Sequence, residues 1–220
     1  DTTAFEEMEQ SGWSSAEIAS AYATRFSNAT KLVAEHLSES VKAAQDHHIL
    51  DVCCGHGVAA AALVRRGAVV TGLDFSRAMV ALAKRDVPGA NFVVGDAMAR
   101  GFDDASFDAV TIGFGVPHMP DPHVGLAEVA RVLKRGGRLA FSIWQGKGSA
   151  GAFGWLFEAY EAHGDPAATL PPGPDAHAFA HTEVAVPALQ ALGFSIVAIS
   201  GANAELIVAD PEHVFDAFDQ

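Results

Sequence analysis

Nine consecutive residues constrain this chain's fold more than any others. Ile49-Leu50-Asp51-Val52-Cys53-Cys54-Gly55-His56-Gly57 reads as a short buried strand, a tight turn carrying two glycines, and the start of an Ala-rich helix running to Arg66. A strand that feeds a helix through so short a turn opens a βαβ unit. The segments that follow keep the alternation. Ala68 to Leu73, Asn91 to Val94, Phe107 to Ile112 and Arg138 to Trp144 read as strands. Ser76 to Arg85, with Ser76 as its N-cap, and Pro122 to Leu133, closed by Gly136-Gly137, read as helices. Right-handed crossovers between such strands build a parallel sheet with helices on both faces.

Outside this core the pattern changes. Ser14 to Val41 reads as one helix, with Ile18, Tyr22, Phe26, Leu32, Val33 and Leu37 at its apolar positions. After Trp144 come a glycine-rich stretch, a helix over Trp155 to His163 and a Pro-rich loop over Leu170 to Pro174. Regular structure resumes with a helix over Val184 to Leu192. Phe194 to Ser200 and Ala204 to Ala209 then read as an antiparallel hairpin at the sheet edge. The expectation is an α/β, doubly wound, Rossmann-like and mostly parallel sheet of seven strands, the last antiparallel. Residues 1–45 form an N-terminal helical lid, 46–144 the core, 145–183 a cap inserted after strand five, and 184–220 the rest of the core. That cap lies over the carboxyl ends of the strands, where open α/β sheets bind ligands.

Composition narrows the function. Fourteen basic and 27 acidic residues give a net charge of −13, the wrong sign for a duplex nucleic acid or an anionic membrane surface. No apolar run approaches the roughly 20 residues of a membrane span, and the acidic, polar stretch Asp1 to Gln10 is not a signal peptide. Adjacent Cys53 and Cys54 supply neither a spaced disulfide framework nor a metal site. They read as reduced thiols in a cytoplasmic protein whose partner is a small organic molecule, with the oligomeric state left open.

Three carboxylates stand at successive strand ends. Asp51 precedes the glycine turn, Asp74 ends the second strand 17 residues beyond Gly57, and Asp96 follows the third. The turn does not complete the G-x-G-x-x-G fingerprint of a dinucleotide site, because Cys53 and Ala60 occupy two of its positions. A carboxylate just ahead of the turn is poorly placed for a pyrophosphate and suits a cation such as an amino-acid ammonium. Asp74 is spaced to accept hydrogen bonds from ribose hydroxyls, and Asp96 to accept one from an adenine amino group.

Ile49 to Gly57, followed by Thr71-Gly72-Leu73-Asp74-Phe75-Ser76, resembles the first two motifs of class I S-adenosylmethionine (SAM)-dependent methyltransferases. Gly95-Asp96-Ala97 with Ala105 to Val110, and Ala127 to Leu139, resemble the motifs that follow. The whole is similar to the type 11, ubiquinone and menaquinone methyltransferase-like branch, closely from Asp46 to Trp144. The resemblance implies SAM as cofactor and S-adenosylhomocysteine as its product. It places Asp51, Cys53, Gly55 and Gly113 around the methionine part, Asp74 on the ribose, Phe75 beside the adenine, and Asp96 and Ala97 at the adenine amino edge. Tyr22 falls where relatives carry a lid residue, although it also reads as an ordinary core aromatic. Cys53 stands where the family has Gly, and Gly115-Val116-Pro117-His118-Met119 departs from the quinone enzymes' pattern.

The sulfonium is an activated donor, so the protein's main task is to place a nucleophile in line with the methyl group. A base is needed only where that nucleophile must lose a proton. His118, after the fourth strand, is the candidate. His163, His177 and His181 are weaker ones, and Trp144, Phe153, Trp155 and Phe157 are candidate walls of an apolar pocket. The reading is methyl transfer to O, N or C of a small molecule. The alternatives are a SAM-binding subunit without turnover and, further off, an NAD(P)-dependent reductase.

Overall fold

The computed structural model describes residues 2–99, 101–146, 152–165 and 171–203. Five strands form one sheet: β1 (His48–Val52), β2 (Val69–Asp74), β3 (Asn91–Val94), β4 (Phe107–Gly113) and β5 (Leu133–Ser142). Their order is β3-β2-β1-β4-β5, and every neighbouring pair is parallel. Helices α1 (Thr3–Ser14), α2 (Ala16–Arg25), α3 (Ser27–Ser40), α4 (Val58–Arg65), α5 (Arg77–Asp86), α6 (Pro122–Val132), α7 (Ala152–His163) and α8 (Thr182–Ala191) complete the described elements.

Each central strand is apolar on both faces because both are covered. Leu50, Val52, Val110 and Ile112 pack on one side with Leu126, Val129 and Val132 of α6 and Leu189 of α8. Ile49, Val70 and Ala109 pack on the other with Ala60 and Leu63 of α4 and Val80 and Ala83 of α5. From β1 the chain winds outward to β2 and β3, then crosses back to β4 and β5. The order therefore reverses between β1 and β4. Strands diverging from such a switch point leave a crevice at their carboxyl ends.

Several expectations are corrected. The helix expected over Ser14 to Val41 is two helices, interrupted at Phe26 (φ −97°, ψ −10°), which closes α2 and opens α3. A further helix, α1, occupies the front of the expected helical lid, before the one helix assigned there from Ser14. It buries only Phe5, so its local pattern is thin and its position is set by contacts with the rest of the protein. Gly136-Gly137 do not end α6, which stops at Val132. They lie inside β5 beside an irregularity in its register with β4, and Gly136 takes the left-handed conformation (φ +80°) that glycine tolerates.

The described sheet has five strands, not seven. Phe194 to Ser200 alternates as a strand should but joins no ladder among the described residues. Phe194 and Ile196 lean on the core while Val197 is 80% exposed. Alternation selects a face, but a strand exists only where a neighbour pairs with it. Its expected partner, Ala204 to Ala209, lies outside the described residues, as does the antiparallel edge it was to form.

Candidate active site

The carboxyl ends of β1, β2 and β4 open into a cavity roofed by α1, α2 and α3. Together with the open solvent at its mouth it spans about 780 Å³. Tyr22, Asp51, Cys53, Gly55, Asp74, Phe75, Gly113 and His118 all line it. Two expected residues do not. Asp96 is exposed, its Oδ1 accepting the Met98 amide at 2.8 Å to close the turn after β3, and Ala97 packs against the core.

The glycine turn is held by its carboxylates. Asp74 accepts the Gly55 amide on Oδ2 (2.8 Å) and the Ser76 amide on Oδ1 (2.9 Å), tying the end of β2 to the turn after β1. Ser76 caps α5 by accepting the Met79 amide (3.1 Å). Burial pushes the Asp74 carboxyl up, countered by those two amides and by His118. Gly57, at φ +90°, starts α4 so close to Ala83, Val87 and Phe92 that an added Cβ would lie 3.1–3.4 Å from them.

Asp51 is 0% exposed. Its Oδ1 accepts the Thr111 hydroxyl at 2.7 Å, but Oδ2 has no hydrogen-bond partner. Burial pushes the carboxyl up to about 7, held back by Thr111 and the Ala60 backbone and raised a little further by Asp74. A buried carboxylate oxygen without a donor is costly, and Asp51 is one of the residues that line the cavity.

Cys53 takes the place of a glycine at a position that wants one. Its φ is +53°, and an added Cβ on Gly115 would sit 2.3 Å from the Cys53 Cβ and 2.8 Å from its Sγ. Gly115 thus makes the room that Cys53 takes. Burial pushes both thiols well up, with Asp74 and Asp51 adding to the effect, so they are inert packing groups. Burial likewise raises Tyr22 to about 12, keeping its hydroxyl protonated.

Part of the roof is not legible in the sequence. Trp13 meets Tyr22 edge-on (centroids 5.2 Å) and His118 edge-on (5.4 Å), and Tyr22 stacks on Phe26 (5.1 Å). Glu9 Oε2 accepts the Trp13 indole N–H (3.0 Å) and lies 2.7 Å from His118 Nδ1. Glu9 and Trp13 are four residues apart, a pairing legible only once that segment is known to be helical. Val33, Ala34 and Leu37 of α3 form the apolar wall. Phe114, at φ +59°, also lines the cavity and stacks on Trp144 (4.1 Å). Of the other expected pocket aromatics, Trp155 is exposed and Phe157 faces His177. His177 reaches the Trp144 carbonyl (3.0 Å), while His163 and His181 are not part of the cavity wall. The side chain of Phe153 lies outside the described residues.

Residues 50–141, from β1 to β5, match the type 11 family described as "Methyltransferase domain". The match covers less than half of the chain. Demethylmenaquinone methyltransferase of Renibacterium salmoninarum is 43% identical over 101 residues, 46% of this chain and 43% of that protein. The chain spans less than half the length of the curated relatives it matches. Among solved structures, a TehB-like SAM-dependent methyltransferase from Corynebacterium glutamicum is 27% identical (TM-score 0.51), covering 66% of this chain and 81% of that one. The cyclase SpnF is 25% identical (TM-score 0.58), covering 76% and 59%. Proteins named for different chemistries thus share the fold, so the reaction must be argued from the site.

Proposed function

We propose that this protein is a SAM-dependent methyltransferase acting on a small organic molecule. The observation that carries the reading is Asp51 Oδ2, a wholly buried carboxylate oxygen without a donor, on a residue that lines a cavity at the sheet's switch point. An amino-acid ammonium supplies the missing donor and the missing charge. A pyrophosphate beside two buried carboxylates, Asp51 and Asp74, would meet repulsion instead.

SAM, when bound, supplies a methyl group already activated by its sulfonium. The chain's own residues bind, orient and exclude water. Asp51 holds the ammonium, and the backbone at Cys53, Gly55 and Gly113 surrounds the methionine part. Asp74 still has acceptor capacity beyond its two amides for ribose hydroxyls, and Phe75 lies beside the adenine. Placing Asp96 and Ala97 at the adenine edge rests on the family resemblance alone. Tyr22 and Trp13 close the roof against water, and His118 is the candidate base for an acceptor that carries a proton. Residues 1–45 act as the lid, and the cap at 145–183 selects the acceptor. Among the described residues no helix is long and apolar enough to cross a membrane. The reduced cysteines and net acidity fit a cytoplasmic enzyme with a small-molecule substrate.

The test is calorimetric titration with SAM, S-adenosylhomocysteine and NADPH, on the wild type and on Asp74→Ala. The expected result is micromolar binding of both adenosyl ligands, weakened at least tenfold (~1.4 kcal/mol) in the variant, and none of NADPH. Binding of NADPH alone would overturn the assignment.

A further inference from the structure

The cluster at the mouth of the cavity joins the roof to the candidate base. Glu9 and Trp13 project from one face of α1, and His118 follows β4 in a single 3-10 turn over Val116–His118. Glu9 Oε2 receives the indole N–H of Trp13, a group that can only donate, so this oxygen acts as an acceptor. The same oxygen lies 2.7 Å from His118 Nδ1. Two groups that share one acceptor oxygen must both donate to it, so Nδ1 carries a hydrogen. In the neutral ring, Nε2 then keeps its lone pair and has no hydrogen-bond partner among the described residues.

Three further contacts keep α1 in place. The Ser76 hydroxyl donates to the Trp13 carbonyl (2.5 Å), fixing the helix end to the turn after β2. Trp13 packs edge-on against both His118 and Tyr22. The Glu9 side chain is 14% exposed and that of His118 36%, so the pair is shielded on the carboxylate side and open on the imidazole side. His118 in turn acts on Asp74, at the end of β2, partly offsetting the effect of burial on that carboxyl.

Resting on the methyltransferase reading, we propose that Glu9 is a positioning residue that holds His118 in the Nδ1–H tautomer, so that Nε2 serves as base for a hydroxyl or amine acceptor. As the acceptor's lone pair forms its bond to the methyl carbon, the methyl–sulfonium bond breaks and its electrons stay on sulfur. The acceptor's O–H or N–H bond breaks, its electron pair remains on the heteroatom, and Nε2 takes the proton. Glu9 balances the imidazolium until the proton passes to solvent. A carboxylate behind a histidine base stabilises this arrangement by orientation and charge. The roof and the base are thereby one unit: His118 is set for proton transfer only while α1 covers the site.

The test reads the tautomer directly in the protein without ligand, by long-range ¹⁵N–¹H correlation of the histidine rings. The His118 signal is assigned by its loss in His118→Asn. The expected result is an unprotonated Nε2 in the wild type, with the proton moving to Nε2 in Glu9→Ala. Nε2–H in the wild type, or an unchanged tautomer in Glu9→Ala, would overturn the proposal. The wild-type measurement stands even where the variant fails to fold. S-adenosylhomocysteine is titrated into the same wild-type sample, so loss of the cofactor reading shows as absent binding and is separate from the tautomer result.

Discussion

Asp51 makes ligand affinity depend on pH in a calculable way. Burial raises its carboxyl from 3.8 to about 7 in the folded protein. The folded state therefore holds a proton that the unfolded chain gives up between about pH 4 and 7. Its contribution to stability is greatest below that window and falls as pH rises through it, by at most about 4 kcal/mol. A bound ammonium reverses the preference, because it pairs with the ionised form. Below about pH 7 the ligand must first displace the proton. Between pH 7 and pH 5.5 the ionised fraction drops from about a half to about 3%, so affinity for S-adenosylhomocysteine should fall about fifteenfold. Calorimetry across that range, in buffers of different ionisation enthalpy, reads both the affinity and the released proton. In Asp51→Asn the affinity should be weak and its slope much shallower, leaving only the part that Asp74, also raised by burial, contributes, and the protein without ligand should be more stable at pH 7 than the wild type. An affinity that is flat in the wild type, or a slope as steep in Asp51→Asn as in the wild type, would refute the assignment of this oxygen to the ammonium.

Two further outcomes follow from the turn. Gly115→Ala should cost about 1–3 kcal/mol in denaturant unfolding, because its Cβ would sit 2.3 Å from that of Cys53. Adding Cys53→Gly should recover much of that loss, and a double-mutant cycle without coupling would contradict the contact. Ser76→Ala removes both the cap of α5 and the tether to Trp13. It should lower stability by about 1 kcal/mol and raise the hydrogen-exchange rates of α1, the second effect being absent if α1 is held by other contacts.

Much of the core was legible from local pattern. The turn from Ile49 to Gly57 and the alternation through β4 needed only short-range information: apolar strands, glycine conformations and the Ser76 cap. Asp51, Asp74 and His118 could be singled out because they lie at or just after the carboxyl ends of the strands around the switch point, whereas Asp96, after the edge strand β3, does not reach the cavity. Within the expected helical lid the sequence does not mark α1 as a helix of its own, since only Phe5 of its residues is buried. Its place depends on Tyr22 of the next helix and on Ser76 and His118, which lie far along the chain. The partnership of Glu9 with His118, 109 residues apart, is visible only once those elements are packed. The same holds for Cys53 and Gly115, whose fit depends on the approach of two strand ends. The segment Phe194 to Ser200 failed for the complementary reason: its side-chain pattern is a strand's, but pairing is a property of two segments. Local sequence sets which conformations a segment can take, whereas partners distant in sequence decide which of them are used.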